Sequence, residues 1–570
     1  MNQQMNIDPR IRRFLMPSRI VWQSGVEQSE NLLKDGKEFC VFRKKVSSGT
    51  CPAVLLDFGF ELNGGISIET GIDARDWFHK IRIRFGESVS EAMGQPNNDH
   101  SIHDTELTIS ALGKHEFGCT GFRFVRIDLL SETKLHVHNI KAVALERPLE
   151  YKGRFECSDD MLNRIWKTGA RTVHLCCQDY LLDGIKRDRL VWVGDIHPQL
   201  AVIAFVFGRQ DIVTESLDYI YNRTVPDIWM NGIGSYNLWW LISLYNWYWL
   251  IGDLKILTNR VSSVKIVFDG ISNFIDKNGK ENTGGMRFID WALGIKNEHE
   301  LGCGLQSLTV WAVRCSKQIF EAAGEYEYAK KADNLLKLTS QAECNPKSKQ
   351  AAALKVLAGT ADSISINNEI LSAEPAKGLS TWFGYYVLQA RAQADDFAGC
   401  IDLIRNYWGG MLKLGATTFW EHFDLDWLKN GGRIDEAVQA DKIDVHLNYG
   451  DHCYKGLRHS LCHGWAAGPT AWLPRHVLGI EPLKPGYAEI QIKPWLGGLE
   501  WAKGNIPTEF GNIEVEHFKN EKGHIVTNVK TPDEIKVIEN GKRKNEFKSK
   551  IPYSTITPKA RQSTLQFLDG

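Results

Sequence analysis

Cys157-Ser-Asp-Asp160-Met-Leu162-Asn-Arg-Ile165-Trp166 is the stretch at which this 570-residue sequence changes from strand-like to helix-like patterning. Its polar residues can cap the first turn of a helix. The apolar residues Leu162, Ile165 and Trp166 then follow at the three- and four-residue intervals of one helix face. We therefore expect a helical region to begin here.

Helical spacing continues from this point to about residue 479. Apolar residues recur at three- and four-residue intervals over 305–323, 381–394 and 398–412, with Gly or Asn between the periodic segments. Roughly 320 residues of this kind are enough for about a dozen helices of average length. Because no short internal repeat is present, we expect helical hairpins arranged in a barrel over 151–480 rather than a solenoid.

The segments on either side alternate between apolar and polar residues, as strands do. Before the helical region, runs such as 135–138 alternate and are interrupted by glycine-rich breaks such as Asn63-Gly64-Gly65. The same period of two returns toward the C-terminus. The sequence therefore predicts a multidomain protein, in which an N-terminal β-sandwich over 1–150 and a C-terminal β-sandwich over 481–570 flank a central all-α barrel.

Composition and charge exclude several classes of protein. The chain is 43% hydrophobic and 24% charged with a formal net charge of -1, as expected for a folded protein without long disorder. Binding to nucleic-acid phosphates needs clustered positive charge, so we expect no nucleic-acid partner. We interpret the one basic run, 541–550, as a solvated hairpin. No stretch of 18 apolar residues is present, so we expect no membrane partner.

The N-terminus and the cysteines indicate where the protein resides. The first residues lack the basic and apolar regions of a signal peptide, so we expect a cytoplasmic protein, or a periplasmic one if a signal peptide was removed before this numbering. The 12 cysteines include no Cys-x-x-Cys spacing. This predicts buried free thiols and neither a metal nor a cofactor. Self-association as a homodimer is left open.

Three acids, an arginine and a tryptophan fall within Asp183-Gly-Ile-Lys-Arg187-Asp188-Arg-Leu-Val-Trp192-Val-Gly-Asp195. If the later part is helical, Asp188, Trp192 and Asp195 share one face. Such a mixture of acids with an indole is typical of a sugar site, where the ring packs against carbohydrate and carboxylates bind hydroxyls. The alternative is an exposed helix start in which Arg187 and Arg189 pair with the acids.

A second cluster, Gly415-Ala-Thr-Thr-Phe-Trp420-Glu421, ends in a glutamate. Burial of a carboxyl group after so apolar a run is costly unless the group has a partner or a function. The structural alternative is a buried Glu421 satisfied by threonine hydroxyls or by arginine. In a third segment His463 lies beside small residues, and a core histidine is the alternative to a site residue.

Asp290-Trp291 repeats the pairing of a carboxylate with an indole. We therefore expect both residues to bind sugar, while most tryptophans between 229 and 249 should lie in the core. The sequence contains no Gly-x-Ser-x-Gly, Walker, His-Glu-x-x-His or dinucleotide-binding motif. Glycosidic chemistry remains, because it needs two carboxyl groups and no cofactor.

These motifs resemble those of glycoside hydrolase family 78, the α-L-rhamnosidases. The family carries an Asp-Cys-Pro-x-Arg-Glu-type motif running into Trp-x-Gly-Asp, which resembles 183–195, and a Gly-Ala-Thr-Thr-x-Trp-Glu motif, which matches 415–421. A histidine in the last hairpin of the family's barrel corresponds to His463. The order of domains is also similar, with an (α/α)6 barrel between two β-sandwiches.

The resemblance implies an inverting exo-glycosidase that acts on terminal α-L-rhamnosyl or closely related residues of an oligosaccharide or glycoside. In this scheme Glu421 activates water and Asp188 protonates the leaving oxygen. Gly184-Ile185 replaces the family's Cys-Pro, and Asp188 is shorter than the family's Glu. The residues expected to hold the sugar are Asp183, Arg187, Trp192, Asp195, Trp420 and His463.

Two other functions are compatible with the sequence. Helical toroids also host polysaccharide lyases, which use His or Tyr for β-elimination and need a cationic site for the uronate. A carbohydrate-binding protein that kept the pocket and lost the acid is the other alternative. The products separate the three functions, since a lyase gives an ultraviolet-absorbing product and a binding protein gives none.

Overall fold

The computed structural model describes residues 7–44, 50–72, 76–95, 103–224, 229–294, 297–452 and 454–538, and the backbone of 546–548. Along the chain a β-rich region, a helical region and a second β-rich region follow one another, in the predicted order. Among the described residues, no helix combines the length and the apolar character that crossing a bilayer requires. Most of the basic run 541–550 lies outside the described residues.

In its described residues the N-terminal region holds nine strands, one short α-helix and a 3-10 helix at Ser29–Leu33. Its elements are β1 Ile11–Leu15, β2 Arg19–Ser24, β3 Val26–Glu27, β4 Cys40–Phe42, β5 Ala53–Thr70, β6 Phe78–Gly86, α1 Val89–Met93, β7 Asp104–Ser110, β8 Lys114–Leu129 and β9 Leu135–Glu146. The strands form one hydrogen-bonded sheet in the order β3-β4-β9-β5-β8-β6-β7, with β1 on β9 and β2 on β5. Leu56, Ile83 and Phe122 belong to a buried core within this region.

The predicted break at Asn63-Gly64-Gly65 is wrong, because these residues lie inside β5. The pairing register between β5 and β8 shifts at this point. A Cβ atom on Gly64 would lie 2.0 Å from the carbonyl oxygen of Val143, and one on Gly65 would lie 2.3 Å from that of Phe117. The glycines therefore mark a bulge where neighbouring strands approach closely, rather than a turn between two strands.

The helical region begins where the sequence predicts. After β10 Arg154–Cys157, Asp159 caps α2 Asp160–Cys176, and its carboxylate accepts hydrogen bonds from the N–H groups of Met161 and Leu162. The three periodic segments of the sequence correspond to α8 Glu298–Ala322, α12 Phe383–Gln393 and α13 Phe397–Lys413. The other α-helices and strands described in this region are α3 Val193–Val206, α4 Ile212–Arg223, α5 Tyr236–Ile251, α6 Lys255–Thr258, α7 Val261–Ser272, α9 Tyr326–Thr339, α10 Lys349–Leu357, α11 Ser363–Ile366, β11 Gly431–Gly432, β12 Ile443–Asp444 and α14 Gly468–His476.

The strands described in the C-terminal region belong to two small sheets, one of which also includes β10. These strands are β13 Ile480–Pro482, β14 Glu489–Ile492, β15 Trp501–Thr508, β16 Gly511–Lys519, β17 Ile525–Lys530, β18 Lys536–Ile538 and β19 Glu546–Lys548. One sheet has the order β10-β15-β16-β17-β19 and the other the order β13-β14-β18. Along β16, Ile513, Val515 and His517 are buried while their neighbours are exposed, which is the alternation the sequence predicts.

The N-terminal sheet meets the helical region through polar contacts at the second sequence motif. Arg123 in β8 pairs with Asp57 in β5 and donates to the carbonyl oxygen of Gly415 at 3.2 Å. The N–H of Glu61 donates to the hydroxyl oxygen of Thr417 at 3.0 Å. The segment that leads to Glu421 is therefore held against the N-terminal sheet.

Candidate active site

Residues 183–192 form a loop, and α3 begins only at Val193. Two hydrogen bonds between Asp183 and Leu190 close the loop. The N–H of Asp183 donates to the Leu190 carbonyl oxygen at 3.0 Å, and the N–H of Leu190 donates to the Asp183 carboxylate at 2.8 Å. The buried Asp183 side chain therefore fixes the shape of the loop that carries the other residues of the first motif.

A tight turn inside this loop separates the functional side chains. The N–H of Arg189 donates to the Arg187 carbonyl oxygen at 2.7 Å, and Asp188 between them has a left-handed backbone with φ of 55°. The prediction that Asp188, Trp192 and Asp195 share one helix face is wrong, because a left-handed residue cannot continue a right-handed helix. The turn leaves Asp188 exposed beside the half-buried Arg187.

Arg187 joins the first motif to the second. Its Nη2 atom donates to both carboxylate oxygens of Glu421, at 2.9 and 2.8 Å. Glu421 also accepts a hydrogen bond from the N–H of Ser460 at 3.1 Å, and its side chain is 6% exposed. Of the partners considered for a buried Glu421, arginine is thus the one present. Arg189 donates instead to the carbonyl oxygen of Cys119, so the predicted alternative of a locally paired helix start is wrong.

His463 lies between Glu421 and Asp195. Its Nε2 atom is 2.9 Å from Asp195 Oδ1, and its Nδ1 atom is 3.9 Å from Glu421 Oε1. Burial lowers the pKa of His463 to about 4, so the imidazole is neutral near pH 7. With its proton assigned to Nε2 from the position of this partner, the ring donates to the Asp195 carboxylate.

The carboxyl groups of the site influence one another. Burial raises the pKa of Asp195 well above its ordinary value, and the negative charges of Glu421 and Asp188 add to this effect. Burial also raises the pKa of Asp183, with the charge of Asp195 as the next cause. Carboxyl groups that take up protons more readily can donate as well as accept hydrogen bonds, which suits a ligand rich in hydroxyl groups.

Backbone contacts fix the second motif beside the segment that holds His463. The N–H of Glu421 donates to the Ser460 carbonyl oxygen at 3.0 Å, while the N–H of Ser460 donates to the Glu421 carboxylate. The Thr418 hydroxyl donates to the Leu461 carbonyl oxygen at 2.7 Å. The two segments are therefore held in one register, which sets the position of Glu421.

A row of aromatic rings connects Trp291 with His463. Trp291 packs against Phe288 with ring centroids 4.9 Å apart, and Phe288 stacks on Trp382 at 6.0 Å. Trp382 stacks on Trp465 at 5.1 Å, and Trp465 contacts His463 at 4.3 Å. The predicted residue Trp291 is thus linked through packed rings to the charged group around Glu421.

Trp192 and Asp290 occupy different environments. Trp192 is half-buried and packs edge-on against Tyr236, with ring centroids 6.2 Å apart. Asp290 is buried and accepts a hydrogen bond from Gln350 Nε2 at 3.0 Å. Burial raises the pKa of Asp290. Trp192 keeps a surface that a ligand can reach, whereas Asp290 already has a protein partner.

Trp420 belongs to the hydrophobic core. Its side chain is 1% exposed and packs edge-on against Phe423 and His459. The sequence predicts a sugar contact for this residue from its place beside Glu421. The structure instead gives its ring a packing role beneath the second motif.

Three residues near this site were missed from the sequence. Trp465 lies two positions after His463, and this proximity could have singled it out. Trp382 immediately precedes α12, where its spacing is that of a core residue. Lys186 lies inside the first motif, but the acidic groups that bind it come from the N-terminal region, so no local signal marks it.

Two segments of the chain match family models. Residues 150–350 match the bacterial alpha-L-rhamnosidase 6 hairpin glycosidase domain, and residues 479–540 match the bacterial alpha-L-rhamnosidase C-terminal domain. The first motif, 183–195, lies inside the first match. The second motif, 415–421, lies between the two.

Two curated relatives are also named alpha-L-rhamnosidase. An alpha-L-rhamnosidase of Alteromonas sp. (strain LOR) is 25% identical in an alignment of length 527, and the match covers 83% of this chain and 54% of that protein. An alpha-L-rhamnosidase of Formosa agariphila is 27% identical over 111 residues, which is 20% of this chain and 12% of that protein. The chain therefore spans about half the length of the first of these relatives.

Solved structures share the fold. A rhamnosidase of glycoside hydrolase family 78 from Bacillus sp. GL1 superposes with a TM-score of 0.74 and 21% identity, over 89% of this chain and 55% of that one. A rhamnosidase from Klebsiella oxytoca with rhamnose bound superposes with a TM-score of 0.65 and 19% identity, over 82% of this chain and 96% of that one. The two matched domain models and this fold agree with what the two motifs indicate: the chain resembles the α-L-rhamnosidases of glycoside hydrolase family 78.

Proposed function

We propose that this chain is an inverting exo-glycoside hydrolase that removes terminal α-L-rhamnosyl or closely related residues from an oligosaccharide or glycoside. The observation that carries the proposal is the buried group of Arg187, Glu421, His463 and Asp195, with Asp188 on the adjoining turn. The names of the relatives from Alteromonas and Formosa support the choice of rhamnosides. So does the rhamnose named in the Klebsiella oxytoca structure.

Glu421 acts as the general base in this proposal. Its carboxylate is held by Arg187 and by the N–H of Ser460, so its orientation is fixed before substrate binds. It takes a proton from the water that attacks the anomeric carbon. The neutral His463 beside it avoids placing a second positive charge next to Arg187.

Asp188 acts as the general acid. Its side chain is exposed on the turn next to Arg187, and in this proposal the leaving aglycone binds on that exposed side. Inversion requires the two carboxyl groups to stand roughly 6.5–9.5 Å apart, so that the water fits between Glu421 and the sugar. The proton of Asp188 passes to the glycosidic oxygen as its bond to the anomeric carbon breaks.

Five of the remaining predicted residues hold the sugar. Asp195, His463 and Arg187 offer hydrogen bonds to its hydroxyl groups, and the rings of Trp192 and Trp291 pack against its apolar face. Asp183 contributes by fixing the shape of the loop that carries Arg187 and Asp188. Asp290 contributes by holding the segment that carries Trp291. We place this site in an (α/α)6 barrel of six helical hairpins over 151–480, between β-domains over 1–150 and 481–570.

Hydrolysis assays test the proposal. The protein is incubated with a panel of p-nitrophenyl glycosides and with rhamnose-containing oligosaccharides, and the products are separated. We expect release of L-rhamnose from the α-L-rhamnoside and no product that absorbs in the near ultraviolet. Binding without turnover would indicate a carbohydrate-binding protein, and an unsaturated product would indicate a lyase.

Glu421→Gln tests the role of the base. The variant keeps the size and the hydrogen-bonding capacity of the side chain, so we expect it to fold and bind L-rhamnose with turnover lowered about 10²–10⁴-fold. Asp396→Asn is the matched control, because Asp396 is also an arginine-paired carboxylate, bound to Arg391 at 2.7 Å outside this site. If Glu421→Gln keeps more than a tenth of the wild-type rate, Glu421 is not the base.

A further inference from the structure

Three buried charged side chains lie between the N-terminal sheet and the candidate active site. The Lys186 amine is 2.8 Å from Glu91 Oε1 and 3.4 Å from Glu87 Oε2, and each of these side chains is 1% exposed or less. Lys186 belongs to the loop of the first motif, whereas Glu91 lies in α1 and Glu87 directly after β6. We call these three residues the Lys186 cluster.

Lys186 also joins the two segments that hold Glu421. Its amine donates to the carbonyl oxygens of Leu457 at 2.7 Å and His459 at 3.2 Å. His459 directly precedes Ser460, whose N–H binds the Glu421 carboxylate. On its other side Lys186 is followed by Arg187, the second partner of Glu421. Lys186 is thus adjacent in sequence to Arg187, and its amine binds the residue adjacent to Ser460.

Glu87 makes a parallel connection. Its Oε2 atom accepts a hydrogen bond from the N–H of Leu461 at 2.7 Å. The preceding N–H, that of Ser460, donates to Glu421 at 3.1 Å. Two successive amides therefore bind one carboxylate from the N-terminal region and one from the candidate base.

A bound metal ion is not needed to explain the cluster. Glu87, Glu91 and His446 are close enough to bind a cation, but the Lys186 amine already supplies the positive charge. Both nitrogens of His446 also have partners, because Nδ1 is 2.7 Å from Ser88 Oγ and Nε2 is 3.0 Å from the His459 carbonyl oxygen. His446 therefore adds a further tie to the segment before Ser460.

Stability alone is a weak explanation for burying these charges. Replacing a buried ion pair by neutral groups of similar volume often leaves stability unchanged or raises it. Burial raises the pKa of Glu87 to about 7, which shows how unfavourable its ionised form is at this depth. The Lys186 cluster is instead tied to residues adjacent in sequence to both partners of Glu421, Arg187 and Ser460, and this gives it a second role.

We infer that Lys186, Glu87 and Glu91 are positioning residues for Glu421, through which the N-terminal β-region fixes the two segments that hold the candidate base. The inference rests on the proposed function of Glu421. Small displacements of a reacting group are costly, since about 1 Å of misplacement can lower a rate 10²-fold. The N-terminal region is thus part of the catalytic unit and not an appended module.

The test compares the wild type with a neutral triple variant, Lys186→Met with Glu87→Gln and Glu91→Gln. The substitutions keep side-chain volumes close and leave no unpaired buried charge. We expect a folded protein by circular dichroism that binds L-rhamnose as the wild type does, with kcat lowered 10- to 100-fold and KM changed less than threefold. A merely structural role would lower the melting temperature and leave kcat unchanged.

Glu146→Gln is the matched control. Glu146 in β9 pairs with Arg171 in α2, so this substitution also weakens a buried ion pair between the N-terminal sheet and the helical region. We expect a lower melting temperature with an unchanged kcat. An equal loss of kcat in the control would contradict a specific role for the Lys186 cluster.

The outcomes separate this inference from the proposed function. If the wild type releases no L-rhamnose, the proposed function fails. If the wild type is active and the folded triple variant keeps kcat within twofold, only the positioning role is overturned. Should the triple variant not fold, Glu91→Gln replaces it, because Lys186 then stays paired with Glu87, and an unchanged kcat in that variant overturns the inference equally.

Discussion

At Asp188 the left-handed backbone places two adjacent side chains in different surroundings. Arg187 reaches the buried Glu421, whereas Asp188 is exposed. Aspartate tolerates left-handed φ better than most residues, including the longer glutamate. This preference gives a physical reason for Asp188 at a position where the resembling family has Glu. The shorter side chain suits the turn, and the proposed acid must then approach its substrate more closely.

Asp188→Asn tests the acid at the residue scale. Asparagine adopts the left-handed region as readily as aspartate, so the turn should persist while the proton donor is lost. We expect turnover of a natural rhamnoside to fall about 10²–10⁴-fold, with a smaller loss on an activated aryl rhamnoside whose leaving group needs little protonation. Steady-state rates on both substrates measure the difference.

An equal loss on both substrates would assign Asp188 to sugar binding and leave Asp183 or Asp195 as the candidate acid. Asp188→Glu is the second comparison. The variant has the glutamate of the family but lacks the preference of aspartate for the left-handed turn. We therefore expect an impaired but measurable rate on the natural rhamnoside.

The site residues were predictable to the extent that their motifs are local. Arg187, Asp195, Glu421 and His463 were all singled out, and the structure brings them together. The prediction that residues of the first motif share one helix face was wrong, because an aspartate tolerates a left-handed backbone but does not by itself predict one. Direct contacts between the motifs also depend on the fold and cannot be read from spacing.

At the scale of elements, hydrophobic periodicity and capping residues predicted the helices correctly, whereas a glycine-rich segment predicted a break in a strand that the structure does not have. The start of α2 follows from its capping residues together with periodicity, and the positions of α8, α12 and α13 follow from periodicity. The bulge at Gly64 does not follow from the sequence. A glycine that lets a neighbouring strand approach closely looks the same in the sequence as a glycine in a turn that ends a strand. Long-range pairing decides between the two readings.

Gly415→Ala tests how the second motif is held. Gly415 has φ of 94°, and a Cβ atom there would lie 2.5 Å from Asp435 Oδ1. We expect the substitution to lower the free energy of unfolding by about 1–3 kcal/mol, from strain and from this contact. Gly324→Ala is the matched control, since Gly324 has φ of 76° and nothing within 4 Å of a built Cβ atom.

Thermal unfolding of both glycine variants gives the comparison. In the control Gly324→Ala, the free energy of unfolding should fall only by the cost of the left-handed backbone, about 1–2 kcal/mol. If the two variants are destabilised equally, the contact with Asp435 contributes nothing and the start of the second motif is less constrained than the structure indicates.

At the scale of the whole molecule, buried histidines make stability depend on pH. Among the described residues, burial lowers the pKa of nine histidines, and five buried carboxyl groups have a raised pKa, which acts in the opposite direction. The histidines are His103, His174, His197, His422, His446, His459, His463, His476 and His517. The carboxyl groups are those of Glu61, Glu87, Asp183, Asp195 and Asp290.

Stability should therefore fall as the pH drops from about 6.5 toward 4. In this window the unfolded chain binds protons at histidines that stay neutral in the folded protein, so ionisation favours unfolding. The raised carboxyl groups oppose this by binding protons in the folded state, but they are fewer. Melting temperatures measured from pH 7 to pH 4.5 test the net sign.

His517→Gln isolates one contribution. His517 lies far from the site in the C-terminal region, and burial lowers its pKa to about 4. Its ring nitrogens are 2.9 Å from Thr527 Oγ1 and from the Leu478 carbonyl oxygen, partners that glutamine can also bind. Between pH 7 and pH 5 the wild type should lose about 2 kcal/mol more than the variant. Equal losses would contradict the lowered pKa.

The division into β-rich, helical and β-rich regions was predictable from periodicity, whereas the way the regions cooperate was not. Lys186 and its partners Glu87 and Glu91 lie about 100 residues apart in sequence, and only the folded chain brings them together. A lysine inside a motif of acids has many local explanations. The binding of Lys186 to the N-terminal region therefore could not be predicted from the sequence.

The stereochemistry of the first product tests the central claim most directly. The hydrolysis of an α-L-rhamnoside by the wild type is followed by proton NMR from the first turnovers, before the released sugar mutarotates. With Glu421 as the base and Asp188 as the acid, water attacks the face opposite the leaving group, so β-L-rhamnose appears first. Initial release of α-L-rhamnose would contradict the account, because it requires a covalent intermediate and a carboxylate acting as nucleophile.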